Sequence, residues 1–192
     1  MKAYEFAKAQ GFPIPLEKVT FSGSHSHSGP GAITDEKIWE YAPATDLLKE
    51  DLQTQMSDIL AACMMDALND LEPVSIGMQI TKLYNVTYNR RAKISPYLHP
   101  WSIDPNLGVI AVDSVKTGRP KMTLWNFAIH GTCYGTSNML QSGDIMGYAN
   151  YIIESTFGGY SMFINADAGD IAPAHGMCEP HPNLLGSNKI AQ

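Results

Sequence analysis

The 192-residue sequence lacks features that define several common classes of protein. Its 13 basic residues are scattered, the longest basic run is Arg90–Arg91, and the net charge is −6, which excludes the basic surface of a nucleic-acid-binding protein. No apolar run approaches the roughly 18 residues that cross a bilayer, and residues 1–10 contain no signal-peptide hydrophobic region. We therefore expect neither a nucleic-acid partner nor a transmembrane segment.

Cysteine is also scarce. The three cysteines, Cys63, Cys133 and Cys178, contain no CxxC spacing and are odd in number. This excludes a thiolate metal cluster and a disulfide framework in which every cysteine is paired. Cysteine usage leaves the redox compartment open.

The residues that are present predict a folded α/β protein. Apolar residues make up 44% of the chain and charged residues only 17%, which is enough to build a sizeable core. Periodicity and capping residues predict helices over Met1–Gln10, Thr45–Leu71 and Asp144–Phe157. Strands are predicted over Val19–Ser22, Val109–Val115, Met122–Ile129 and Tyr160–Ile164, and Val74–Tyr88 is predicted to be one strand or a bent pair of strands. We expect a mixed β-sheet flanked by helices in a layered single domain, and the two ends suggest that the domain is incomplete.

His25 and His27 are the first candidates for chemistry. They are one residue apart in the segment Ser24–Gly31, so an extended backbone would project both imidazoles to the same side. In this arrangement both rings can reach one metal ion or one substrate. A polar turn rich in serine and glycine is an equally good interpretation of the spacing alone.

Three further strand ends carry polar residues. His130 follows the strand ending at Ile129, and Asp167 and Asp170 lie in a glycine-containing loop after the strand ending at Ile164. Active sites of α/β sheets gather at such strand ends, although a hydrogen-bonded histidine and Asx-turns are the commoner explanations of these residues taken singly. Arg90 follows another strand, where its guanidinium would stabilise an oxyanion or form a surface ion pair.

Five ordered segments resemble the neutral ceramidase family. Ser24–Gly31 (SHSHSGPG) resembles the family's THTHSGPG segment. The other matches, in the same order as in the family, are Asn89–Arg90 with Ser95–Leu98, Trp125–Thr132, Ser142–Asp144 with Gly147–Ala149, and Asn165–Pro173. Together they extend over most of the chain from Val19 to Pro173, so residues 1–192 are expected to be a portion of a neutral ceramidase-like catalytic domain.

The resemblance implies zinc-dependent hydrolysis of the amide bond of ceramide, or of a related lipid amide, to sphingosine and a fatty acid. By position, His25 and His130 match the family's two zinc-binding histidines. His27 matches a neighbouring active-site histidine, and Arg90 the arginine that stabilises the oxyanion. The family is typically secreted or displayed at the cell surface, and its substrate implies contact with a membrane surface.

The sequence departs from the family pattern in two ways, and these departures support hypotheses other than ceramide hydrolysis. The serine of the family's GDVSP segment falls on Ala172, which has no hydroxyl group. The family's glutamate and tyrosine zinc ligands come from sequence beyond the matched region, so we expect weak or absent metal in this chain alone unless Asp144 or Asp170 completes the site. The alternatives are a catalytically inactive, ceramidase-related protein that binds a lipid or a partner, and a metallohydrolase acting on another ester or amide.

Overall fold

The structure is a computed structural model that describes residues 2–37, 47–135 and 137–178. The chain divides into two compact units, one formed by Met1–Phe21 with Pro30–Glu72 and the other by Ser22–Gly29 with Pro73–Gln192. Helices and a mixed β-sheet are both present, so the predicted α/β fold class is confirmed. No helix of the described ranges has the length and apolar character needed to cross a bilayer.

The first unit is helical. Helix α1 comprises Lys2–Ala9 and is followed by Gly11, whose φ of 92° is a left-handed conformation that ends the helix. A short 3₁₀ helix, Leu16–Lys18, precedes the long helix α2, Glu50–Asn69. Helix α2 packs against α1 through Ala61, and the small core around this contact contains Tyr4, Ala7 and Phe12.

The described part of the second unit contains six strands and one helix. These are β1 (Val74–Lys82), β2 (Thr87–Asn89), β3 (Asn106–Ser114), β4 (Pro120–Phe127), α3 (Asp144–Phe157), β5 (Tyr160–Asn165) and β6 (Ile171–Pro173). The main sheet has the order β1-β3-β4-β5, in which β3 is antiparallel to both neighbours and β4 is parallel to β5. Because β4 and β5 are parallel, the segments that follow them begin at the same edge of the sheet.

The core of this unit lies next to that edge. Phe127 at the end of β4, Ile129, Met146 of α3 and Phe163 of β5 are all buried in one cluster. A second, two-stranded sheet pairs β2 antiparallel with β6, with Asn89 opposite Ile171. This pairing joins the chain before Arg90 to the chain that follows β5.

Two sequence-based predictions of elements differ from the structure. The residues Val19–Ser22 form no strand, because the N–H of Val19 closes the 3₁₀ turn on Leu16 and no strand among the described residues pairs with the segment. The described part of α2 begins at Glu50, and the predicted cap Thr45 lies outside the described residues. Part of the predicted apolar face of α2 is exposed, as at Leu60.

Candidate metal centre

The segment containing His25 and His27 lies beside the loop that follows β4. Ser26 forms a parallel β-bridge with Gly131, and the N–H of His27 donates to the carbonyl of Gly131 at 3.0 Å. A Cβ atom at Gly131 would lie 2.9 Å from the Cα of Ser26 and 2.9 Å from the carbonyl oxygen of His25. Only glycine therefore permits this approach, which brings both histidines next to His130.

The backbone at His25 differs from the prediction. Its φ of 62° is left-handed, so the expectation of an extended HxH backbone is wrong. The pairing of Ser26 with Gly131 supplies the constraint that holds this uncommon conformation. The two rings still lie close together, with 4.9 Å between the centroids of His25 and His27.

The three imidazoles converge on one point. The ring centroid of His130 is 4.4 Å from that of His25 and 5.1 Å from that of His27. One ring nitrogen from each histidine lies within 4.8 Å of the others, and the Nε2 atoms of His25 and His130 are 2.9 Å apart. The structure thus brings all three predicted histidines together in an arrangement that suits a metal ion.

His130 is the buried member of the group. Its N–H donates to the carbonyl of Ile171 at 3.1 Å, and its Nδ1 lies 2.6 Å from the carbonyl oxygen of Ala168. A carbonyl only accepts, so Nδ1 carries the proton and Nε2 presents a lone pair to the other histidines. The carbonyl of Ala168 therefore orients His130 as a metal ligand.

Burial and nearby positive charge favour the neutral forms of two of the histidines. Burial is the main cause that lowers the pKa of His27, assisted by His25 and Arg90 and opposed by Asp144. Burial also lowers the pKa of His130, assisted by Arg90 and opposed by the hydrogen bond to Ala168. Neutral imidazole is the form that binds metal.

Arg90 lies beside the three histidines. Its Nη2 donates to Nε2 of His130 at 3.1 Å and to the carbonyl of Gly169 at 2.9 Å. Its backbone N–H donates to the carbonyl of Asp170 at 2.9 Å. The Nε atom is buried and has no hydrogen-bond partner in the described part of the chain, so one donor of the guanidinium is unpaired there.

Asn89 is a structural centre of the site that sequence reasoning did not identify. This buried residue donates from Nδ2 to Oδ2 of Asp170 at 2.6 Å and to the carbonyl of Ser102 at 2.9 Å. It therefore fixes both the start of the loop that carries Arg90 and the loop after β5. A lone asparagine gives no periodic pattern, and its signals in the sequence were its place beside Arg90 and in a segment that resembles the family.

The predicted carboxylates do not join the histidines. Asp144 is buried and accepts hydrogen bonds from the backbone N–H groups of Cys133, Tyr134 and Ile145. Asp170 is held by Asn89, and Asp167 is exposed. Within the described ranges, the group of metal-ligand side chains at this site consists of His25, His27 and His130.

Ala172, which the sequence resemblance matches to the family serine, lies in β6. It is a buried residue of β6, opposite Tyr88 of β2. The preceding residue, Ile171, accepts the backbone hydrogen bond of His130. The position is thus one residue from a direct backbone contact with the histidine group, and its side chain is a methyl group.

A disulfide joins Cys133 to Cys178, and Cys63 is free and exposed. Cys133 is buried three residues after His130, so the bond ties the loop that follows β4 to the segment that follows β6. The sequence did not predict this disulfide, because the spacing of three cysteines does not show which two thiols pair.

Comparisons with known proteins agree on one family. The family model described as neutral/alkaline non-lysosomal ceramidase, N-terminal, matches residues 15–185. Neutral ceramidase A of Dictyostelium discoideum is 27% identical over 82% of this chain and 24% of its own length. Neutral ceramidase of Mycobacterium tuberculosis is 23% identical over 82% of this chain and 27% of its own length.

The fold agrees as well. The crystal structure of neutral ceramidase from Pseudomonas aeruginosa aligns with a TM-score of 0.79 and 23% identity, covering 100% of this chain and 30% of that one. The chain thus spans about a quarter of the length of the curated relatives it matches. The chain belongs to the neutral/alkaline non-lysosomal ceramidase family.

Proposed function

We propose that this chain carries the zinc-binding part of an amide hydrolase that cleaves the N-acyl bond of ceramide or of a related lipid amide. The convergence of His25 and His130, together with Arg90, carries the proposal. These residues match the family's zinc ligands and oxyanion-stabilising arginine by position. Membership of the ceramidase family supplies the substrate class.

The residues present suit a zinc ion. Imidazole nitrogen is a preferred zinc ligand. Nε2 of His130 lies 2.9 Å from Nε2 of His25, and its one lone pair, which accepts from Arg90 here, would be given to zinc on binding. Zinc bound here would supply Lewis acidity that polarises the amide carbonyl and activates water. Asn89, Asp170 and the carbonyl of Ala168 hold the surrounding loops and fix the ring of His130.

Arg90 has the donors needed to stabilise the developing negative charge. In amide hydrolysis, water adds to the carbonyl carbon, the C–N bond breaks, and the amine leaves with a proton as sphingosine. The oxygen of the carbonyl carries negative charge in the transition state. The guanidinium of Arg90, which lies beside His130, supplies donors for that oxygen, and neutral His27 is placed to take or return a proton.

Exposed apolar side chains support contact with the lipid surface that holds such a substrate. The loop from Arg90 to Ser102 begins and ends beside Asn89. The N–H of Asn89 donates to the carbonyl of Pro100 at 2.8 Å, and its Nδ2 donates to the carbonyl of Ser102. Tyr97, 90% exposed, and Trp101, 73% exposed, lie on this loop. Tyrosine and tryptophan are the residues enriched at membrane–water interfaces.

We also propose that the protein works outside the cell. The disulfide between Cys133 and Cys178 supports this location, because disulfides persist in oxidising compartments and are rare in the cytosol. Tracking a tagged chain in the medium and in washed cells tests the location. Retention of all of the reduced chain in the cytosol would contradict it.

Zinc content and fatty-acid release test the catalytic proposal. We expect the purified chain to bind zinc and to release fatty acid from a fluorescent ceramide, and both properties to fall in His25→Ala and His130→Ala. Arg90→Ala is expected to lower kcat by about 10²–10³-fold while zinc stays bound, since one oxyanion donor is lost. Arg91→Ala, which alters the exposed neighbour, is the matched control.

Ala172 favours one alternative, a ceramidase-related protein that binds a lipid without cleaving it. A methyl group at this buried position supplies neither a nucleophile nor a hydrogen bond to orient water. Binding of the fluorescent ceramide by the zinc-loaded chain, with no release of fatty acid, would favour this alternative over the amidase. Release from a different ester or amide would indicate a metallohydrolase with another substrate.

A further inference from the structure

Asn85 lies in the turn that joins β1 to β2. Its side chain is exposed, and its φ of 65° is left-handed, a conformation that asparagine adopts more readily than most other residues. The two preceding side chains, Leu83 and Tyr84, are 38% and 55% exposed. The amide of Asn85 is therefore presented at an open part of the surface.

Asn85 begins the triplet Asn85-Val86-Thr87, which has the form of an acceptor sequence for N-linked glycans. In the 192 residues, no other asparagine is followed two positions later by serine or threonine. Val86 meets the requirement that the middle residue is not proline. Such a triplet arises easily by chance, so the case for its use depends on the third residue.

Thr87 carries a hydroxyl group that the fold does not use. The residue is 6% exposed in β2, and its Oγ1 is buried without a hydrogen-bond partner in the described part of the chain. A buried hydroxyl without a partner destabilises the folded state, because it gives up hydrogen bonds to water and gains none. Valine has nearly the same shape and favours strands as well, without this cost. Stability therefore does not account for the hydroxyl of Thr87.

Glycan transfer accounts for it, because the acceptor sequence requires a hydroxyl two residues after the asparagine. In the folded chain Thr87 lies opposite Pro173 of β6, so its hydroxyl is accessible only before β6 is synthesised and pairs with β2. Asn85 remains at the surface, where a bulky glycan fits. Folding thus buries the residue that is recognised and leaves exposed the residue that is modified.

We propose that Asn85 is an N-glycosylation site recognised through Thr87. The donor is an oligosaccharide linked to a polyprenyl diphosphate. A bond forms between Nδ2 of Asn85 and the anomeric carbon of the sugar, the bond from that carbon to the diphosphate breaks, and the amide loses one proton. The inference goes beyond the proposed reaction and rests on the proposed location outside the cell, because this modification takes place in the secretory pathway.

Expression of the whole 192-residue chain behind a secretory signal peptide in cultured eukaryotic cells tests the inference. We expect a gel shift that peptide-N-glycosidase F removes, and the conversion of Asn85 to aspartate in the peptide Leu83–Arg90. Asn85→Asp and Thr87→Val should both abolish the shift, whereas Thr87→Ser should keep it. Asn69→Asp, at an exposed asparagine outside the triplet, is the matched control and should also keep the shift.

Unfolding in urea checks the role of Thr87 separately, on chain produced without a glycan. Thr87→Val should unfold at a higher urea concentration than the wild type, because a methyl group replaces a buried hydroxyl without a partner. Thr81→Val, at an exposed position of β1, is the control and should leave the midpoint nearly unchanged. A lower midpoint for Thr87→Val would assign the hydroxyl a structural role and overturn the inference.

The failure of this inference is distinguishable from failure of the proposed location. A chain that reaches the medium without the gel shift would remove the glycan alone. Retention of the natural protein in the cytosol would remove the location and the glycan together. Neither result depends on zinc binding or on fatty-acid release, so the proposed reaction is tested separately.

Discussion

Nε2 of His25 lies 2.9 Å from Nε2 of His130, although 105 residues separate the two histidines in sequence. The contact depends on the backbone rather than on the rings, because Ser26 pairs with Gly131 directly beside it. The distance between the segment that contains His25 and the loop after β4 is therefore set by Gly131, which has no side chain.

Replacing Gly131 with alanine should disrupt this approach. The added methyl would meet the Cα of Ser26, the carbonyl oxygen of His25 and the Cε of Met146 at 2.7–2.9 Å. We expect a loss of about 1–3 kcal/mol in the free energy of unfolding from overpacking, together with weaker zinc binding. Urea denaturation and chelator competition measure the two effects.

Gly77→Ala is the control for that substitution, because a Cβ at Gly77 meets no atom within 4 Å. Gly77→Ala should change the free energy of unfolding by less than about 0.5 kcal/mol. It should leave zinc affinity unchanged. An unchanged affinity in a folded Gly131→Ala variant would contradict the view that this glycine sets the distance between the two loops.

Asp144 should stabilise the fold through its buried carboxylate. Its oxygens accept from the N–H groups of Cys133 at 3.1 Å and Ile145 at 2.7 Å, and its φ of 56° is left-handed. Asp144→Ala should lower the free energy of unfolding by about 2–3 kcal/mol, because buried N–H groups lose their acceptor.

The companion variant Asp144→Asn should lose less. Asparagine keeps one acceptor oxygen and tolerates the left-handed conformation. Asp58→Ala, at an exposed position of α2, controls for the loss of one negative charge. Equal unfolding midpoints for Asp144→Ala and the wild type would show that these hydrogen bonds contribute little.

Reduction of the disulfide should destabilise the second unit. The bond from Cys133 to Cys178 has a sequence separation of 45, for which the loop-entropy relation gives a stabilisation of about 4 kcal/mol. Native disulfides commonly contribute about 2–5 kcal/mol, so we expect a loss in this range on adding reductant or in the double variant Cys133→Ser with Cys178→Ser. Cys63→Ser is the matched control, since its thiol is free and exposed. A reductant-insensitive unfolding curve would contradict this prediction.

Restoring the family hydroxyl tests what limits catalysis. Ala172→Ser places a hydroxyl in β6, one residue after the carbonyl that accepts from His130. We expect fatty-acid release from ceramide to rise by roughly 10²-fold, the usual contribution of a positioned proton-transfer group. Because the site is buried, stability should fall by about 1–2 kcal/mol unless the hydroxyl finds a partner.

Ala174→Ser, two residues later and only partly buried, controls for the added hydroxyl. A rate that rises in Ala172→Ser alone would assign the gain to position 172. No change in either variant would indicate that zinc and water suffice, or that the chain only binds its lipid.

Much of the fold could be predicted from local patterns. The helix Asp144–Phe157 and the hairpin formed by β3 and β4 follow directly from apolar periodicity and turn residues. Local patterns failed at Val19–Ser22, where a β-branched and aromatic run pairs with no strand in the described part of the chain. A strand requires a partner, and the partner is a property of the tertiary fold.

The sequence by itself determined which residues are candidates for the chemistry, because His25, His27, His130 and Arg90 lie in segments whose order resembles that of one family. Only the tertiary structure decided how they meet. The parallel pairing of β4 with β5, the bridge at Gly131 and the hydrogen bonds of Asn89 act between segments far apart in the chain. Their energies depend on distances in space, which no local pattern of residues contains.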